Sequence, residues 1–287
     1  MLRAAVESLR RQTDPDWEHL IYDDASTDPK VEEVLRWAAE DPRVRLRRGK
    51  SNRDRPSVLW NHMMDRARGR YLTLLDDDNE KLPRFVEVMA GELDRDPDLD
   101  FVTCGFIVRT AGQADWEHHH NLRTNREDVE RESTCEGGAL LSRRKAFENV
   151  GYFSEALRTN EDWDWVRRAV RVLSVKNLPE CYTVYRQHTT NRQLRAEALG
   201  HAADVEHIRV RKHCPTIGVR VVRPLDECLT ASQRDVLLQM ERALTQIQWV
   251  SAGNDIALVL APFMLSMEEV CTGVSGCEQA VSVHMED

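Results

Sequence analysis

The sequence predicts an α/β protein with a Rossmann-like, mostly parallel central sheet, flanking helices and a helical C-terminal extension. Short apolar runs typical of buried strands alternate with stretches of helical periodicity, at the spacing of a doubly wound sheet. Acidic residues follow two of the predicted strands, at the edge where open α/β sheets bind ligands. With 287 residues, of which 41% are hydrophobic, the chain can also bury a full core.

The individual elements follow from local patterns. Residues 2–12 place apolar side chains on one helical face. Pro29 suits the first turn of a second helix, and Gly69 ends a third helix that starts at Pro56. The predicted helices cover about 2–12, 29–38, 56–68, 83–93 and 166–172, and the predicted strands cover about 17–22, 44–47, 71–75, 101–108 and 178–186.

Two regions depart from this alternation. The polar stretch 109–135 is predicted to be an insertion or a mobile loop. Its three adjacent histidines, 118–120, cannot all face one metal ion, so a solvated loop is favoured over a dedicated metal site. After residue 192 the pattern changes to helices, followed by a tail without clear periodicity. We therefore predict a catalytic domain over 1–192 and a helical region with a loose tail over 193–287, with helices at about 194–213 and 230–250.

Composition and charge exclude several classes of partner. A net charge of −9 argues against nucleic acid or an anionic membrane as a bulk partner. Seven cysteines without CxxC spacing indicate reduced cytosolic thiols, and neither a disulfide framework nor a zinc site. The longest apolar run, 256–265, is about half the length that a membrane-spanning helix needs. We expect a cytoplasmic protein with no signal peptide and no membrane span.

Three acidic side chains, Asp76, Asp77 and Asp78, directly follow an apolar strand. Carboxylates crowded in this way repel each other unless a cation lies among them. Mg²⁺ and Mn²⁺ take oxygen ligands and commonly bridge carboxylates to a phosphate. The other interpretation is a solvated acidic turn in which Asp78 or Asn79 caps the next helix. Taken alone, this segment leaves both interpretations open.

The order and spacing of several motifs resemble the family 2 inverting glycosyltransferases of GT-A fold, over about residues 2–192. Each motif is weak alone, and the combination is specific. The motifs are DDASTD at 23–28, RARGRY at 66–71, LDDD at 75–78, GALLSRRKAFENVGYF at 138–153, NEDW at 160–163 and YRQH at 185–188.

This resemblance implies roles for the residues that bind the donor and the metal. Asp24 would accept a hydrogen bond from the nucleobase of a nucleotide-sugar donor. Asp76 would lie toward the ribose, and Asp78 would bind the Mg²⁺ or Mn²⁺ ion that bridges the diphosphate. His188 would be a further metal ligand or diphosphate contact, the alternative being a solvated loop histidine. Asp77 belongs to the same donor-binding run, although alternation along extended chain turns its side chain away.

The same resemblance implies that Asp162 is the general base, which takes the proton of the acceptor hydroxyl during an inverting transfer. The dipole of the helix that begins there would favour the ionised form. The alternative is that Glu161 and Asp162 only cap the helix. Arg143, Arg144 and Arg186 are candidates to neutralise phosphate, and the sequence does not choose among them.

The implied function is metal-dependent transfer of a sugar, with inversion, from UDP-sugar or another nucleotide sugar to an unidentified acceptor hydroxyl. The family usually opens with a strand ahead of the first helix, whereas this chain begins at Met1 inside that helix. We therefore expect an upstream start, another segment in place of the strand, or a compromised protein. The alternative function is a non-catalytic nucleotide-sugar or glycan-binding relative. A nucleotidyltransferase ranks last, because no glycine-rich phosphate loop with a following lysine occurs near the amino end.

Overall fold

A computed structural model describes residues 1–189, 191, 201–210, 217–221 and 281–285. The helices are α1 Leu2–Arg10, α2 Pro29–Ala38, α3 Pro56–Arg66, α4 Phe85–Arg95, α5 Arg126–Val129, α6 Arg144–Val150, α7 Glu161–Ala169 and α8 His201–Val210. The strands are β1 His19–Asp23, β2 Val44–Arg48, β3 Tyr71–Leu72, β4 Glu80–Lys81, β5 Phe101–Thr110, β6 Trp116–His118, β7 Leu140–Arg143, β8 Val175–Gln187, β9 Ile217–Val221 and β10 Val281–Met285.

The helices predicted from periodicity in the first hundred residues are confirmed to within a few residues. Helix α2 shows the local reasons. The Asp28 carboxylate accepts a hydrogen bond from the Lys30 N–H at 2.9 Å, and Pro29 occupies the first turn. Leu35 and Ala38 on the inner face of α2 are buried. The apolar stripe therefore decides which face of the helix packs against β1 and β2.

The main sheet has six strands in the order β3-β7-β5-β8-β4, with β6 paired to β5. Strands β5 and β8 are parallel, whereas β7 is antiparallel to β3 and β5, and β4 is antiparallel to β8. The α/β class is confirmed, but the prediction of a mostly parallel sheet needs correction, because this sheet is mixed. Strands β3 and β4 lie at opposite edges of this sheet, and among its described strand pairs only β5 with β8 is parallel.

Strands β1 and β2 form a separate two-stranded parallel sheet, with α2 as the crossover between them. Their register runs from His19 opposite Val44 to Asp23 opposite Arg48. Within the part of the chain that the structure describes, no strand pairs with the other edge of β1. The carboxyl end of β1 leads directly into the segment that contains Asp24.

Two packed layers cover the faces of the main sheet. Phe101 and Val102 are neighbours on β5 and point into different clusters, as alternation along a strand requires. On the Phe101 side, Trp165 of α7 stacks on Phe147 of α6, with ring centroids 4.4 Å apart. Ile208 of α8 is buried in the same cluster. This packing fixes α7, and with it the position of Asp162, relative to the sheet.

The region 109–135 is more ordered than a solvated loop. Strand β6 pairs with β5 from Phe106 opposite His118 to Val108 opposite Trp116. Asn125 caps α5, because its side chain accepts hydrogen bonds from two backbone N–H groups. Most side chains of this region are nevertheless exposed, and the hairpin pairing and the cap give it local order.

Beyond residue 192, the structure describes α8 and the antiparallel pair of β9 with β10. The pair corrects the expectation of a helical region with a loose tail for residues 217–221 and 281–285. The helix predicted at about 230–250 lies outside the described residues, and the domain division at 192 stays a prediction. Among the described residues, no helix is long and apolar enough to span a membrane.

Candidate active site

A cleft of about 880 Å³ contains acidic side chains from five separate parts of the chain. It lies between β1 and the loop after β3, and the starts of α3 and α7 also line it. The structure thus brings together the side chains that the sequence marked at the ends of two strands and at the start of a helix. The acidic residues that line the cleft are Asp23, Asp24, Asp54, Asp76, Asp77, Asp78, Glu136, Glu161 and Asp162.

Asp24 lies at the β1 end of the cleft. Its Oδ2 accepts a hydrogen bond from the Arg53 N–H at 2.8 Å. Its Oδ1 is buried, and it has no hydrogen-bond partner among the described residues. The next residue, Ala25, has φ of 62°, so the chain turns sharply after the strand. A buried acceptor without a donor costs free energy, and a ligand N–H would remove that cost.

The loop after β3 carries the acidic run. Strand β3 ends at Leu72, where the prediction placed its end at Leu75, because the Thr73 hydroxyl donates to the Leu140 carbonyl at 2.6 Å and the chain leaves the ladder. Burial raises the pKa of Asp76 well above its ordinary value, and the nearby carboxylates, with Glu136 the largest contributor, raise it further. A bound cation would relieve both the desolvation and the repulsion.

Asp78 and His188 meet although 110 positions separate them in the chain. His188 Nε2 lies 3.0 Å from Asp78 Oδ2, and Asn191 Nδ2 donates to the same oxygen at 3.4 Å. Arg186 donates to the Asp78 carbonyl at 3.3 Å. Asp77 lines the cleft with an exposed side chain, and partial desolvation of its carboxyl by the surrounding cleft, followed by the Asp78 charge, raises its pKa. Carboxylate and imidazole groups thus converge on one side of the cleft.

Asp162 lies in the first turn of α7, after Asn160 in the left-handed conformation with φ of 60°. Its Oδ2 accepts from the Gly137 N–H at 3.0 Å, and its Oδ1 accepts from the Trp163 N–H at 2.8 Å. Burial raises the pKa of Asp162, and these hydrogen bonds oppose that rise. The carboxylate is therefore held in one orientation and its proton affinity is increased, as a general base requires.

Two ionisable residues of the site were missed by the sequence analysis. Lys81 is buried beneath the cleft, where its Nζ donates to Thr73 Oγ1 at 3.1 Å and to the Gly138 carbonyl. Burial lowers the pKa of Lys81 to about 8, and the charge of Glu136 opposes this shift. Burial raises the pKa of Glu136, and Lys81 counteracts it. The only signal in the sequence was the position of Glu136 directly before a Gly-Gly pair.

The structure also distinguishes among the three arginine candidates. Arg143 donates to the Leu99 carbonyl at 2.7 Å, and Arg144 donates to the Ala67 carbonyl at 2.7 Å. Both guanidinium groups therefore hold backbone turns in place. Arg186 is the one of the three that contacts the acidic loop, through Asp78.

Aromatic rings also form part of the wall of the cleft. The Phe106 and His118 rings are stacked with centroids 4.5 Å apart, and Trp116 lies 5.5 Å from His118. The Trp116 side chain is half exposed. Tyr185 completes this wall, at 5.9 Å from the Phe106 ring. The cleft therefore has an acidic side and an apolar aromatic side.

Comparison with known proteins agrees with this arrangement. Residues 1–151 match the family described as Glycosyl transferase family 2. The putative glycosyltransferase EpsE of Bacillus subtilis is 31% identical over 108 residues, which are 37% of this chain and 38% of EpsE. The chain spans 19–38% of the length of the curated relatives that it matches.

Two solved structures show the same GT-A fold. S. aureus TarS 1–349 in complex with UDP-GlcNAc has a TM-score of 0.59 and 15% identity, over 95% of this chain and 77% of TarS 1–349. The mannosyltransferase PcManGT of Pyrobaculum calidifontis, in complex with GDP-Man and Mn²⁺, has a TM-score of 0.52 and 15% identity, over 93% of this chain and 76% of PcManGT. The family match covers more than half of the sequence. This chain is therefore a member of glycosyl transferase family 2.

Proposed function

We propose that this chain is a metal-dependent, inverting glycosyltransferase that uses a nucleotide sugar, with a UDP-sugar as the first candidate donor. The observation that carries the proposal is the convergence of Asp24, Asp76, Asp78 and Asp162 on one cleft. The likeness to TarS with UDP-GlcNAc and to PcManGT with GDP-Man and Mn²⁺ supports a donor of this class.

The nucleobase would bind at the β1 end of the cleft. Asp24 Oδ1 is a buried acceptor that requires a donor, and the ring N–H of uracil is such a donor. The side chain is already fixed through its Oδ2 by the Arg53 N–H. The site therefore requires little rearrangement of Asp24 when a donor binds.

The residues on the other side of the cleft fit a divalent cation. Asp78 Oδ2 and His188 Nε2 are already within 3.0 Å of each other, and the buried Asp76 carboxyl lies in the same cluster. Carboxylate oxygens suit Mg²⁺ and Mn²⁺, and PcManGT was solved with Mn²⁺. A metal held there would stabilise the negative charge of the departing diphosphate.

Asp162 would remove the proton from the acceptor hydroxyl while that oxygen forms a bond to the anomeric carbon of the sugar. The bond from the anomeric carbon to the diphosphate oxygen breaks on the opposite face, so the configuration inverts and the nucleoside diphosphate leaves. The raised pKa of Asp162 supports this role, because a stronger base takes the proton more readily.

Replacement of Asp162 by Asn tests the proposal. We expect transfer to fall by roughly 10²–10⁴-fold, the usual contribution of a general base, while binding of a UDP-sugar with Mn²⁺ is retained. Transfer is measured as release of nucleoside diphosphate in the presence of candidate acceptors, and donor binding is measured by calorimetry.

Asp98→Asn is the matched control. Asp98 is exposed in the turn after α4 and does not line the cleft. This variant should keep its turnover. Full turnover in Asp162→Asn would contradict the assignment of the base. Donor binding by the wild-type chain without transfer to any acceptor would favour a nucleotide-sugar-binding relative without catalytic activity.

A further inference from the structure

The hairpin of β5 and β6 has a second face, which the proposed function does not use. Trp116 and His118 line the cleft, and alternation along the strand sends the intervening Glu117 to the other side. There, Glu117 and His119 meet Cys181 of β8. One ligand atom from each of these three residues lies within 4.8 Å of the others.

The two ring nitrogens of His119 have different surroundings in this group. Its Nε2 lies 3.1 Å from a carboxylate oxygen of Glu117. Its Nδ1 is buried, and among the described residues it has no hydrogen-bond partner. The ring therefore presents a buried nitrogen lone pair or N–H that nothing in the described structure satisfies, which costs free energy in the absence of a ligand.

Gly105 makes room for this group. It pairs with Cys181 in the β5–β8 ladder. A Cβ atom at Gly105 would lie 2.8 Å from Cys181 Sγ and 2.9 Å from His119 Nδ1. Sulfur and nitrogen thus lie against the same point on the sheet, and any side chain at position 105 would push them away.

We propose that Glu117, His119 and Cys181 form a zinc site, separate from the divalent-cation site in the cleft. Thiolate sulfur, imidazole nitrogen and carboxylate oxygen are the ligands that Zn²⁺ takes, whereas Mg²⁺ and Mn²⁺ favour oxygen alone. Three protein ligands leave the fourth tetrahedral position to water, which the exposed Glu117 admits. Binding displaces the thiol proton of Cys181 to solvent, so the sulfur coordinates as a thiolate.

Zinc at this position would join β6 to the interior of the sheet. Strand β6 pairs with β5 over a few residues, and its cleft side carries the aromatic rings of Trp116 and His118. Coordination of one zinc ion by Glu117, His119 and Cys181 would restrain β6. The Trp116 and His118 rings, on the cleft side of that strand, would then be held in position. The role that the structure supports for this ion is to hold β6 and the aromatic rings that it contributes to the cleft.

The test uses the full chain, stripped of metal with a chelator and then dialysed against Zn²⁺. The zinc content of the wild type should exceed that of Cys181→Ser and of His119→Ala by about one equivalent per chain. Co²⁺ in place of Zn²⁺ should give the near-ultraviolet absorption of a cobalt–thiolate bond in the wild type and not in Cys181→Ser. Zinc should also raise the melting temperature of the wild type and leave those of Cys181→Ser and His119→Ala unchanged.

His120→Ala is the control, because His120 lines the cleft and is not one of the three ligands. It should bind as much zinc as the wild type. Circular dichroism of each metal-free variant checks that it is folded, and Glu117→Gln replaces Cys181→Ser if the serine variant does not fold. Equal zinc content in the wild type and the ligand variants, or cobalt binding without the thiolate band, would overturn the proposal.

Discussion

Gly137 controls the position of the Asp162 carboxylate by being small. Its N–H donates to Asp162 Oδ2, and a Cβ atom at this position would lie 3.2 Å from the Asp162 Cβ and 3.4 Å from Leu74 Cδ1. These distances are shorter than most contacts of a Cβ atom, but a small movement of the neighbouring atoms relieves them. An added methyl would therefore shift the carboxylate by a few tenths of an ångström without preventing folding. Small displacements of a catalytic group are costly to the rate.

We therefore expect Gly137→Ala to reduce transfer roughly 10-fold or more while the free energy of unfolding changes by about 1 kcal/mol or less. Steady-state kinetics and urea unfolding measure the two effects. Gly91→Ala in α4 is the control, because its Cβ would meet only the Arg95 guanidinium, at 3.7 Å. Alanine is the better helix former, so this variant should gain stability and keep its rate. An unchanged rate in Gly137→Ala would contradict the positioning role.

At the scale of elements, α8 holds the segment that leads into α7. One carboxylate oxygen of Asp204 accepts hydrogen bonds from the N–H groups of Arg158 and Thr159, each at 3.0 Å, and from the Thr159 hydroxyl at 3.1 Å. Asp204 is buried. His201 adds a contact of 3.0 Å to the Asn160 amide. A helix outside the family-matched residues thus fixes the turn before Asp162.

We expect Asp204→Ala to lower the free energy of unfolding by roughly 3 kcal/mol, since it leaves buried N–H donors without an acceptor. Turnover should fall more than donor affinity, because the loosened turn displaces Asp162 and not the β1 end of the cleft. Urea unfolding, turnover and calorimetric donor binding provide the measurements. Ala203→Ser, at the adjacent exposed position, should match the wild type. A loss of donor affinity equal to the loss of turnover would refute this role.

The sequence predicted the four helices of the first hundred residues to within a few residues, because apolar side chains recur there at helical spacing. It placed a helix at 166–172, whereas α7 spans Glu161–Ala169. It placed the end of β3 too late, because the hydrogen bond from Thr73 to Leu140 depends on a strand 67 positions away. The hairpin of β6 was missed because its strand is three residues long and polar. Local pattern determines an element, and distant pairing determines where that element stops.

The residues of the candidate site also fall into those that a local motif predicted and those that depend on distant contacts. Asp24, Asp78 and Asp162 were predicted because each stands in a motif at the end of a strand or the start of a helix. Glu136 and Lys81 have no such signal. The burial of Lys81 depends on the carbonyl of Gly138, 57 positions later in the chain, so its charge could not be assigned to the site from sequence.

For the whole molecule, Lys81 links stability to pH. Its pKa in the folded chain is about 8, below the ordinary value of 10.5. Between these two values the unfolded chain binds more protons, so the free energy of unfolding rises with pH. The rise reaches about 3 kcal/mol for a shift of this size. Below pH 8 this contribution is absent, because Lys81 is charged in both states.

We expect Lys81→Met to lack this rise. Urea unfolding of the wild type and of the variant near pH 8 and near pH 10.5 measures the difference, and titrations common to both proteins cancel. Lys30→Met, at an exposed position, controls for the loss of a lysine. An identical pH dependence in wild type and Lys81→Met would show that Lys81 does not carry the effect.

The anchor at Asp204 also has an evolutionary consequence. If the Asp204 anchor governs turnover as we expect, substitutions in α8 would change turnover while every acidic side chain of the cleft stays the same. Homologues with identical motifs can therefore differ in speed, and a comparison restricted to the catalytic signature would overlook the cause. In this chain, α8 holds the turn before Asp162, and α8 lies outside residues 1–151, which match the family.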